Sequence, residues 1–137
     1  MTLNDCEREL RDYALSLPET NEAFPWGERA LRVGKKAFVF MRLEADRLSF
    51  GVKLPQSRPQ ALALPFAQPT HYGLGAHGWV TIEVRKPTRA LVAQSKEWIR
   101  ESYVAIAPKR IAALLNVASA PSPRTTRLGR STNGKRA

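Results

Sequence analysis

Lys36 to Lys53, KAFVFMRLEADRLSFGVK, reads as two antiparallel strands and a tight connection. Ala37, Val39, Met41 and Leu43 alternate with polar or aromatic neighbours, and Leu48, Phe50 and Val52 do the same. Period-two alternation marks strands with one buried face. A turn at Glu44-Ala45-Asp46-Arg47 sets Leu43 opposite Leu48, Met41 opposite Phe50 and Val39 opposite Val52, all facing one side. The other side is then basic with aromatics set into it: Lys36, Phe38, Phe40, Arg42, Arg47, Ser49, Gly51 and Lys53. Phe40 falls opposite Gly51, where a ring either covers the glycine or stays free to stack on a ligand.

Working outward, Ala30–Val33 is a short strand with Leu31 and Val33 inward and Arg32 outward, joined to the hairpin through Gly34-Lys35. Glu22–Gly27 contains Pro25, which restricts it to an edge strand or an extended lead-in. Phe24 and Trp26 are expected to pack in the core. Trp79–Arg85 is the last strand, with Val80, Ile82 and Val84 on one face and Trp79, Thr81, Glu83 and Arg85 on the other. Apolar residues at helical spacing put helices over 3–17 and 88–116, with Cys6 and Trp98 on the buried stripes. Pro55–Leu64 is a short helix, and Phe66–Ala76 a loop. From Val117 the chain turns to Ser, Thr, Pro, Gly and Arg, which cannot bury enough surface to offset ordering entropy. The expected organisation is one domain over 1–116 and a disordered basic tail over 117–137.

The charge narrows the function classes. The chain has 137 residues, 22 Lys+Arg against 12 Asp+Glu, and a net charge of +10. Arg124, Arg127, Arg130, Lys135 and Arg136 crowd the tail, and no acid follows Glu101. Such a balance favours a polyanionic partner. One cysteine excludes an internal disulfide and any multi-thiolate metal site, and suits a cytoplasmic setting. No signal peptide is expected at the N-terminus, and no apolar run approaches the ~20 residues of a membrane span.

Gly73-Leu74-Gly75-Ala76-His77-Gly78 spells GxGxxG, but a loop precedes it and a strand follows. A dinucleotide fingerprint needs the reverse, a strand before and a helix after. His71 and His77 have no acid between them and Cys6 is distant in sequence, so neither metal nor cofactor is expected. No Ser-His-acid arrangement has sequence context, so no enzymatic activity is expected. The outward sheet face is the coherent constellation. Arg32, Lys36, Arg42, Arg47, Lys53 and Arg85 would track phosphates, Phe40 and Trp79 would stack on bases, and His77 would touch a phosphate from the sheet rim. The alternative is a protein partner docking on the same face.

Phe24-Pro25-Trp26-Gly27, Leu31–Phe38, the His77–Trp79 start of the last strand, Trp98-Ile99-Arg100-Glu101-Ser102-Tyr103 and Ala107-Pro108-Lys109 together resemble the MmcQ/YjbR family. The resemblance covers roughly residues 3 to 116. It implies an α+β fold in which a first helix and C-terminal helices pack on one face of an antiparallel sheet, related to frataxin-like proteins. It also implies a double-wing DNA-binding architecture, a label members carry by fold analogy. Frataxin-type iron binding would need an acidic ridge, which this basic chain does not offer. The expectation is therefore a non-enzymatic, sequence-tolerant DNA- or other nucleic-acid-binding protein with no cofactor.

Overall fold

A computed structural model of the chain describes residues 1–25, 28–71 and 74–119. In chain order the elements are α1 (Leu3–Leu15), β1 (Thr20–Ala23), β2 (Arg29–Val33), β3 (Lys36–Leu43), β4 (Leu48–Lys53), α2 (Arg58–Leu62), β5 (Ala67–Pro69), a 3-10 turn (Leu74–His77), β6 (Trp79–Val84), α3 (Arg89–Ile106) and α4 (Lys109–Ser119). The strands form one antiparallel α+β sheet in the order β1-β2-β3-β4-β6-β5.

Helices α1 and α3 begin where side chains satisfy their free N–H groups. Thr2 Oγ1 accepts from the Asp5 N–H at 3.0 Å, and Asp5 returns the bond to the Thr2 N–H. That exchange, more than the Arg8 guanidinium beside it, holds the Asp5 carboxyl below its ordinary value. Thr88 Oγ1 accepts from the Leu91 N–H at the head of α3. The buried stripes of α1 and α3 carry Cys6, Leu10 and Ala14, and Val92, Trp98, Ile99 and Tyr103. They join Val39, Phe50, Val52, Val80 and Ile82 in one core on a single side of the sheet. Full burial of each large side chain contributes about 1.5–3 kcal/mol. Burial also pushes the Cys6 thiol upward, away from the reactive thiolate.

The β3–β4 hairpin has the expected register, with Leu43 opposite Leu48, Met41 opposite Phe50, Phe40 opposite Gly51 and Val39 opposite Val52. Glu44 N–H closes the turn on the Arg47 carbonyl at 2.8 Å. The alternation fails at one point. Leu31 pairs with Val39 and Arg32 with Ala37, so Phe38 is an extra residue in β3. This β-bulge changes the phase of everything before it. Phe38 turns into the core, fully buried and edge-on to Tyr103 at 5.3 Å. Ala37 moves to the open side with Arg32, and Lys36 falls opposite Val33 on the helix side.

Ser102 of α3 secures the bulge. The β3–β4 ladder ends at Val39–Val52. Beyond it, Lys53 N–H donates to Ser102 Oγ at 2.8 Å, and Ser102 Oγ donates to the Phe38 carbonyl at 2.6 Å. A serine hydroxyl thus stands in for the next ladder bond, leaving neither backbone group unpaired. Its neighbours also pin the helix down. Tyr103 Oη donates to the Pro18 carbonyl at 2.6 Å, and the Glu101 carboxylate accepts from the Gln56 and Ser57 N–H groups and the Ser57 hydroxyl.

Several expectations need correction. The sheet is wider than residues 30–53 and 78–85, because β1 and β5 add an edge on each side. The β5 strand lies within the stretch read as a loop. Phe24 is 58% exposed instead of buried, with the Arg29 guanidinium 4.9 Å from its ring centre. Trp26 lies outside the described residues. The last helix runs to Ser119, past the boundary expected at residue 116. The expectation of a disordered tail falls, from residue 120 on, outside the described residues.

Candidate functional site

No described helix covers the second face of the sheet, and its residues lie in rows across the strands. The middle row is Ala23, Ala30, Phe40, Gly51, Thr81 and Gln68, each opposite the next. Phe40 therefore stands between two of the smallest residues. Its ring leans over Gly51 toward Trp79, with centroids 5.5 Å apart at a tilt of 50°. A Cβ on Gly51 would meet Trp79 Cε3 at 4.0 Å and Thr70 Oγ1 at 3.9 Å, ordinary contact distances. Thr70 and Thr81 share a hydroxyl hydrogen bond of 2.9 Å beside it. The two rings thus seal the glycine, a known device in open sheets.

The rings have different exposures. Trp79, expected as an open stacker, is only 7% exposed. It begins β6 against Lys53, and the Thr70 N–H reaches over to its carbonyl. With Phe40 leaning on it, it cannot offer a free face. Phe40 is half-buried and keeps its outer surface in contact with solvent.

Charges divide the face into two ends. At the β3–β4 turn the expected phosphate contacts are already engaged. Arg47 lies 2.9 Å from Glu44, 3.6 Å from Glu83 and 3.8 Å from Asp46. Arg85 lies 2.9 Å from Asp46 and 3.2 Å from Glu83. Its hydrogen bond to Asp46 draws that carboxyl below its usual range and raises the guanidinium in turn. Three carboxylates face two arginines there, so this end is not cationic. Arg42 is farther from its acid, 3.9 Å from Glu28, and is well exposed.

The opposite end differs. Lys53 has no carboxylate within 4 Å of its ammonium among the described residues, and the same holds for Arg32, Lys35 and Lys36. Arg32 is oriented by a 2.9 Å bond from Nε to Asn21 Oδ1. His77 is exposed at the end of the 3-10 turn. Gly78 follows it at φ +90°, with Lys53 Cγ 3.9 Å from where a Cβ would stand. Gly75 is packed so closely that a Cβ would sit 2.8 Å from Pro69 Cβ. Its N–H donates to the Thr70 carbonyl, so this glycine serves a tight turn. Gly73 of the same motif lies outside the described residues.

Of the nine residues singled out from sequence, the structure gathers Arg32, Phe40, Arg42 and Lys53 around one spot, with His77 at the adjoining rim. It does not bring the rest there as expected. Lys36 is moved across the sheet by the bulge, Trp79 is covered, and Arg47 and Arg85 are held by acids. Asn21 and the acids Glu44 and Asp46 carried no sequence signal, whereas Glu83, flanked by Arg85 and Lys86, reads as a paired surface acid and is one, 3.2 Å from Arg85. Among the described residues no group of His, Cys, Asp or Glu could hold a metal ion, and no helix is long and apolar enough to cross a membrane.

No curated protein matches the chain. The family model described as YjbR matches residues 15–105, from the last residue of α1 almost to the end of α3. The match includes the bulged β3, the Phe40–Gly51–Trp79 cover and the Glu101-Ser102-Tyr103 anchor, and it spans well over half the sequence: the chain belongs to the YjbR family.

Proposed function

We propose that this protein is a non-enzymatic, sequence-tolerant nucleic-acid-binding protein that meets its ligand with the open sheet face around Phe40. Arg32, Arg42 and Lys53 would contact phosphates, with His77 at the rim and Phe40 against a base. The carrying observation is the combination of a sheet face that no described helix covers with cations on three adjacent strands around a half-buried ring. The net charge of +10 supports the same reading, as do the five basic residues beyond residue 120. The reading invokes no cofactor and places the protein in the cytoplasm.

Titration of labelled DNA and RNA between about 50 and 200 mM salt tests it, since each duplex phosphate contact contributes about −0.9 to the log–log slope. The double variant Arg32→Glu/Lys53→Glu should flatten that slope and weaken binding while the fold, followed by circular dichroism, is kept. Absence of salt-sensitive binding would end the proposal. Binding lost only when the chain is cut after Ser119 would shift the role from the sheet to the tail.

A second reading is a protein partner on the same face. It is favoured by the mixed charge at the β3–β4 turn, where Glu44, Asp46 and Glu83 surround Arg47 and Arg85. A specific partner whose binding survives nuclease treatment and is lost in Arg42→Glu would support it.

A further inference from the structure

Resting on that nucleic-acid reading, we infer that the face takes a single strand, not a duplex, with Phe40 as its base-stacking platform and Trp79 as the residue that positions Phe40. The first argument is width. Six strands at about 4.8 Å spacing make a layer some 24 Å across. The duplex major groove is about 12 Å wide and the minor groove about 6 Å, room for a helix or a two-stranded ribbon. Phe40, on the third of six strands, lies well inside that layer. A duplex groove cannot close around it, and a wedge between stacked pairs would need a protruding ring. Phe40 instead reaches across β4 and packs against Trp79.

The second argument is the arrangement around the ring. Two residues along from Ala30, Phe40 and Gly51 on their strands stand Arg32, Arg42 and Lys53. Arg32 and Lys53 lie toward one end of the sheet and Arg42 toward the other, so cations flank the ring on both sides. A strand running past Phe40 would meet a phosphate-binding group before and after the stacked base. That alternation of ring and cation is how sheets hold unpaired strands, because every base has a π-face and the backbone carries the charge. The Thr70–Thr81 hydroxyl pair beside Gly51 offers polar contacts to the base edge. Nothing in the arrangement reads a particular base.

The experiment uses the full chain with a fluorescein-labelled strand of about 20 nucleotides, longer than an ~4–16-nucleotide site, and the blunt duplex of the same sequence. Because the basic tail attracts both, the informative quantity is the effect of Phe40→Leu on each. Leucine keeps an apolar cover over Gly51 but has no aromatic face. The expected result is a loss of about tenfold or more on the single strand, the value of one stacked base, with duplex affinity unchanged. Trp79→Leu should weaken single-strand binding less, and also lower thermal stability, as a positioning role requires. A Phe40→Leu variant that binds the single strand as well as the parent overturns the inference. So does an equal loss on strand and duplex, although nucleic-acid binding itself would stand. If neither probe binds in a salt-sensitive way, both the inference and the reading beneath it fail.

Discussion

On the helix side of the sheet, two hydroxyls of α3 hold backbone partners that they cannot exchange. Ser102 alone joins Lys53 N–H to the Phe38 carbonyl, and Tyr103 Oη meets only the Pro18 carbonyl. On the open side the partners are interchangeable. Arg47 is shared among Glu44, Asp46 and Glu83, and Arg85 between Asp46 and Glu83. The difference follows from water. A buried donor without its acceptor costs about 1–3 kcal/mol, whereas exposed ion pairs are worth about 0–1 kcal/mol because solvent competes for both members. The covered side therefore sets stability, and the open side is free to set binding.

The largest effect that would break this contrast is on the covered side. Ser102→Ala leaves the Phe38 carbonyl and the Lys53 N–H unpaired and should cost about 2–4 kcal/mol. Urea unfolding should show a lower midpoint at unchanged slope. A cost under about 0.5 kcal/mol would mean that the strands simply close the gap. On the open side, Glu83→Gln removes one of the carboxylates that Arg47 and Arg85 share and should change stability by no more than about 0.5 kcal/mol. It should tighten nucleic-acid binding a few-fold at low salt, with the gain vanishing as screening grows.

The hairpin shows how much of this was legible in advance. Its turn and register follow from alternation and one acidic turn, and both were readable. The bulge was not, because Ala37 and Phe38 are both apolar and either phase of β3 satisfies the pattern. That ambiguity misplaced Lys36. β5 was hidden for a different reason, since a strand of three residues is too short to show a period, while the edge strand or lead-in read over Glu22–Gly27 is in fact the strand Thr20–Ala23. Trp79 was assigned to the correct face, but its burial depends on Phe40 and on Thr70, eleven residues before its neighbour Thr81. Salt bridges across strands carry no local signature at all, so the neutral end of the face could be found only in three dimensions.

Smaller effects sharpen the same comparison. Gly51→Ala meets only ordinary contacts and should stabilise the fold by about 0.4–1 kcal/mol, by restricting the unfolded chain. Thermal unfolding would register this, and a lower midpoint would show that the rings leave no space. The least effect is expected from Glu9, whose carboxyl Lys96 and Arg89 hold below its ordinary value. A depressed carboxylate stabilises the folded state above its unfolded pKa and loses that contribution as pH falls through the folded value. Stability should be flat from neutral pH to about 5 and decline below it. Glu9→Gln should make the decline shallower.

The offset at Phe38 has one more consequence. Phe38 is the one residue of β3 between Lys36 and Met41 without a partner on β2, and because of it Lys36 shares the helix side with the hydrophobic body of the hairpin. Deleting it would leave Ala37 opposite Arg32 and Lys36 opposite Val33, so the charge on the ligand side would not change. Only drawing Phe38 into the ladder opposite Arg32 would turn Lys36 toward Arg32 and Lys53, and that would take Phe38 out of the core.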